Sequence, residues 1–87
     1  MAQYFVETPH TKDECLKALD ETLKKGPDFL AKFEWGCMAG DHTGYGVVDA
    51  DNEMAARNQV PSVVRDRAQI HPVTRVTPDD IRSMHQH

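Results

Sequence analysis

The chain predicts one small α+β domain, with strands and helices in the order β–α–β–β–α–β. Three observations carry this. Phe33 to Ala50 (FEWGCMAGDHTGYGVVDA) reads as one hairpin, with Gly40, Asp41, His42, Thr43 and Gly44 at its tip. A capped amphipathic stretch precedes the hairpin. A second helical segment and another apolar strand follow it.

Gln3 to Thr8 (QYFVET) is aromatic and β-branched, which predicts strand one, closed by Pro9. Thr11 opens a helix, because Glu14 three residues later completes a T-x-x-E capping box. Cys15, Leu16, Leu19, Thr22 and Leu23 recur at helical spacing and predict its buried stripe. Gly26 is the expected left-handed stop, and Pro27 prevents continuation. Asp28 to Lys32 is a connection with room for one helical turn, its Phe29 and Leu30 tucked under the sheet edge.

A hairpin tip centred on His42-Thr43 would pair Met38 with Val47, Cys37 with Val48, Gly36 with Asp49 and Trp35 with Ala50. Alternation then puts Phe33, Trp35, Cys37, Ala39, Val48 and Ala50 on an apolar face, and Glu34, Met38, Tyr45, Val47 and Asp49 on a mixed one. Asp51 or Asn52 caps the second helix, which Pro61 ends near Asn58–Val60. Ser62 to Ala68 reads as an irregular turn. Ile70 to Val76 is the last strand, and Pro72 makes it an edge strand or a bulged one. Thr77-Pro78-Asp79-Asp80 starts a short helix running to about Met84.

At 87 residues the chain is a single domain, 1–87, of a size that buries only about 60% of its unfolded surface. A partner subunit is the usual source of further burial, and a homodimer the commonest form. The net charge is −4, and the longest basic run, Arg65-Asp66-Arg67, is broken by an acid, so nucleic-acid binding is not expected. Charged residues at 28% and hydrophobic ones at 39% exclude a disordered composition. No apolar run is long enough for a membrane span, and the N-terminus lacks the features of a signal peptide. Cys15 and Cys37 form no CxxC or zinc-finger spacing, so a cytoplasmic protein with reduced thiols is expected.

The run GYGVVDADNEMAARNQVPSVVRDRAQIHPVTRVTP, with its strand, acidic cap, helix, proline, strand and Thr-Pro, resembles the dimeric α+β barrel superfamily of ferredoxin-like domains. That group includes muconolactone isomerase-like, antibiotic-biosynthesis monooxygenase-like and YCII-like proteins. It also includes a small nickel-binding family with a Trp ahead of the central hairpin, as Trp35 is here. The resemblance implies a ferredoxin-like βαββαβ sandwich: a four-stranded antiparallel sheet in the order 4-1-3-2, with two helices on one face. It also implies a homodimer whose open sheet faces enclose a pocket. It implies no catalytic motif, residue for residue.

The leading expectation is therefore small-molecule binding on the open face, by Glu7, Glu34, Tyr45, His71 and Arg75. Glu34 and Tyr45 would anchor a ligand, Arg75 would pair an acid group, and Glu7 and His71 would tune protonation. Paired charges across a dimer interface are the plainer reading of the same residues. A cofactor-independent isomerase or monooxygenase is the enzyme alternative, and needs a perturbed carboxylate. No cofactor is required unless a metal ion is bound. For that third reading Asp41 and His42 are the candidate nickel or zinc ligands, completed by His10 or by a neighbouring subunit. Turn chemistry, with Asp41 bonding its own backbone, is the plainer reading of that tip. Cys15 on its helix should meet Cys37 on the apolar face, either as small apolar residues or as a nucleophile or redox pair. His85 and His87 can chelate a metal on paper, although terminal residues fray.

Overall fold

Ala2–Pro9 forms strand β1, and in the computed structural model, which describes residues 2–86, it is a central strand of the sheet. β1 pairs antiparallel with β3 (Thr43–Ala50) on one side and with β4 (Gln69–Val73) on the other, and β2 (Phe33–Trp35) closes the far edge against β3. The order is β2-β3-β1-β4, which is 4-1-3-2 read from the other edge. The protein is thus α+β, with a four-stranded antiparallel sheet and short helices.

Even-numbered side chains of β1 and β3 face the helices. Val6, Phe33, Val48, Ala50, Ala56, Val60 and Ala68 make the core, with Tyr4, Phe29, Trp35, Ala55 and Ile70 packed around them. Each fully buried valine there (Val6, Val48 and Val60) contributes about 1.5–3 kcal/mol. The Thr11–Glu14 capping box forms as expected, but it first closes a 3-10 turn, Lys12–Glu14, before helix α1 (Cys15–Lys24) begins. Asn52 caps α3 (Glu53–Arg57), its side-chain oxygen accepting from the Ala55 amide at 2.8 Å. Glu21 reaches from α1 to accept from the Ser62 amide (2.8 Å) and hydroxyl, fastening α1 to the turn at Ser62–Val64.

Several expectations change. The hairpin register slides: Trp35 faces Gly44, six positions short of Ala50, and Phe33 faces Gly46. The cause is space. A Cβ on Gly44 would lie 2.8 Å from the Trp35 ring, and one on Gly46 would lie 2.7 Å from the Phe33 ring. The two rings therefore settle over the two strand positions that have no side chain. Because the slide is even, each strand residue keeps its predicted face. Cys37, Met38 and Ala39 leave the sheet for a 3-10 turn, Cys37–Ala39, and Met38 is wholly exposed.

The stripe of α1 is also rotated. Ala18 and Thr22 are buried, whereas Leu16 and Leu23 are exposed. Gly26 has φ +118° and ψ 153°, so it is extended with positive φ rather than left-handed helical; it leads into α2 (Pro27–Leu30). β4 stops at Val73, which leaves Arg75 beyond the strand. Helix α4 (Pro78–His85) forms with its Thr77 cap, and every residue from His71 to Gln86 is exposed. His87 lies outside the described residues. Among those described, no helix is long and apolar enough to cross a membrane.

Candidate metal centre

Four side chains converge where β1 ends: His10, Cys15, Cys37 and His42 each offer one ligand atom, all within 4.8 Å of one another. They come from two chain segments. His10 follows Pro9 directly as β1 ends, and Cys15 is the first residue of α1, behind the Thr11 capping box. Cys37 opens the 3-10 turn after β2. That turn reverses at Gly40, whose φ of +89° suits glycine, and the chain returns through His42 into β3. The His10 amide donates to the His42 carbonyl at 2.9 Å, which locks the two segments side by side.

The donors are oriented. Nδ1–H of the buried His10 donates to the Thr8 carbonyl at 3.0 Å, since a carbonyl only accepts; Nε2 therefore keeps its lone pair, 3.2 Å from Cys37 Sγ. A backbone carbonyl on the far ring nitrogen is the usual arrangement behind a metal-bound histidine. Cys15 Sγ lies 3.0 Å from Cys37 Sγ. His42 Nδ1 is shielded from solvent and has no hydrogen-bond partner. A buried polar atom left unpaired costs about 1–3 kcal/mol, so that nitrogen lacks something it could bind. The rings of His42 and Trp35 each lie 6.0 Å from that of His10.

Without a cation, burial, reinforced by the Cys15 thiol, pushes the Cys37 thiol up to about 11. A bound metal reverses this, because a coordinating thiol is deprotonated outright. In a tetrahedral site, bonds of about 2.3 Å to sulfur and about 2.0–2.1 Å to nitrogen separate the donors by about 3.3–3.8 Å. The observed sulfur–sulfur and sulfur–nitrogen separations, 3.0 and 3.2 Å, fall just short of that range, so shifts of less than about 1 Å bring them into it.

His42 is thus in the cluster with His10, as the metal reading anticipated, and Asp41 is not. The Asp41 carboxylate accepts from the Tyr45 hydroxyl (2.5 Å) and the Thr43 hydroxyl (2.9 Å), which hold it below the usual carboxylate range, while the same hydrogen bond to Asp41 raises Tyr45. The sequence reading missed the cysteines as ligands, although a signal was there. His10-x4-Cys15 and Cys37-x4-His42 are mirror-image spacings, each able to present two donors from one short turn. The expected Cys15–Cys37 meeting does occur, at the mouth of the hairpin rather than on the sheet. A set of four such donors does not fit the expectation that no cofactor is needed.

The other predicted residues lie on the opposite face. Glu7 sits between Tyr45 and Gln69 in register, Glu34 is across from Tyr45, and His71 Nε2 is 2.9 Å from Glu7 Oε2. Phe5 stacks on Tyr45 at 6.2 Å. Arg75 stands apart from these, in an open groove of about 570 Å³ with Gln3, Lys32, Val47, Asp49 and Val73. Compared with protein-family models, curated proteins and solved structures, the chain finds no match in any of the three.

Proposed function

We propose that this protein binds a zinc ion through His10, Cys15, Cys37 and His42. The observation that carries the reading is the convergence of four donor atoms, one from each residue, within 4.8 Å of one another. Two thiolates and two imidazoles in tetrahedral array suit zinc; a square-planar set would suit nickel instead. All four positions are filled by protein, which is the pattern of a structural rather than a catalytic centre. The ion would tie the 10–15 segment to the 37–42 turn, the kind of staple that small cores use. Titration of the reduced protein with Co²⁺ tests it. Visible bands of tetrahedral cobalt, a thiolate charge-transfer band, saturation at one ion per chain and displacement by Zn²⁺ are expected. Binding unchanged in Cys37→Ser would remove the site.

A second reading rests on the groove at the other end of the sheet, where Lys32 and Arg75 flank the apolar Val47 and Val73. It suits a small molecule with an acid group, and a fluorescent carboxylate probe displaced in Arg75→Ala would support it. The ferredoxin-like assignment and the homodimer belong with this reading. The exposed Val47, Val73, Ile81 and Met84 support an interface, and light scattering after gel filtration tests it.

A further inference from the structure

We infer that Cys15 and Cys37 are also a reversible dithiol, a modification site for hydroperoxides, and that closing their disulfide ejects the bound metal. The inference deepens the metal reading and rests on it for the ejection step alone.

Four features carry it. The two sulfurs lie 3.0 Å apart, so closing to a bond of about 2.05 Å needs only about 1 Å of movement. Both cysteines are half-buried rather than sealed in the core, which leaves them open to a small oxidant. They are also the only cysteines in the chain, so no other intramolecular pairing competes. Cys37 sits in a 3-10 turn ending at Gly40, outside the sheet ladder, so its sulfur can move without breaking strand pairing.

The chemistry balances with a hydroperoxide as oxidant. One sulfur attacks the terminal peroxide oxygen, the O–O bond breaks, and an alcohol (water, from hydrogen peroxide) leaves with a proton. The sulfur is now a sulfenic acid. The second sulfur attacks it, the S–S bond forms, and water departs with the second proton. Two thiols and one hydroperoxide thus give one disulfide, one alcohol and one water; from the zinc-bound thiolates the same products form with two protons taken from solvent, and Zn²⁺ is released. A disulfide has no thiolate to offer, and His10 and His42 alone make half a site. The ion then leaves.

The test uses the full chain loaded with one equivalent of Zn²⁺ and treated with hydrogen peroxide beside a chromogenic zinc chelator. The expected result is zinc release in step with loss of two hydrogens from the intact mass, a peptide joining Cys15 to Cys37, and recovery of both on adding dithiothreitol and zinc. Cys15→Ser should give no intramolecular cross-link. Zinc retention after exposure, separate sulfinic acids on the two sulfurs, or cross-linking between chains would overturn the inference while the metal reading stands. If the chain takes up no zinc, the metal reading fails. The same oxidation of the metal-free protein then decides the dithiol alone: the cross-linked peptide supports it and its absence overturns it.

Discussion

The two ends of the sheet are built on opposite plans. Where β1 ends, His10, Cys15, Cys37 and His42 point at one another, held by the Thr8 and His42 carbonyls and by the Thr11 capping box. Where β1 begins, Gln3, Asp49, Val73 and Arg75 line an open groove, and the chain runs on into an exposed arm that ends in α4. Both ends are rich in polar groups. Among the described residues only the first has backbone partners that orient its side chains, and that difference separates a candidate centre from a polar surface.

The comparison can be broken most severely at the cluster. Cys37→Ser should weaken zinc binding by at least about a hundredfold, since one of four ligands is lost; competition against a chelator of known affinity measures it. A smaller loss would mean that the sulfur is not a ligand. Next is the sheet beside the cluster. Gly44→Ala puts a methyl group into the Trp35 ring and the Thr8 hydroxyl, and should cost about 1–3 kcal/mol in denaturant melts, with a changed tryptophan spectrum. Glu14→Ala removes one of the two capping-box hydrogen bonds and a carboxylate that Arg67 contacts at 2.9 Å, and should lower the denaturant midpoint by less than Gly44→Ala does.

Acid should act through Glu21 in particular. The Ser62 amide and hydroxyl hold its carboxyl below the ordinary 4.5, so the stability it supplies is present above that value. It is lost as pH falls through the lower folded-state value, and Glu21→Gln should flatten the pH dependence of unfolding in this window. The smallest effect is expected in the arm. Ile81→Ser, on a helix with no buried residue, should change chain stability by less than about 0.5 kcal/mol. A larger, concentration-dependent loss would show that another copy covers α4.

Much of this architecture was legible in the residues, because caps and breakers act locally. Thr11 with Glu14, Asn52, and Thr77 with Pro78 start helices wherever they stand, and the structure starts helical turns at each. Face assignment survived the register error because alternation depends on parity alone. What escaped was anything that needed three dimensions. The register was decided by ring volumes over Gly44 and Gly46, and the stripe of α1 by what packs against Ala18 and Thr22. The candidate centre depends on a turn doubling back at Gly40, which joins two half-sites that are ordinary when read separately.

The edges of the sheet carry a consequence of their own. β2 offers only three residues, and β4 has Pro72 among its five. Neither is a useful template for a strand from another molecule, since one is too short and the other lacks an amide donor. Uncontrolled cross-β growth is thereby discouraged at both borders. Copies of this chain that associate must meet through side chains, on the open face or along the arm, and their edge amides would exchange with solvent as fast in the assembly as in the single chain.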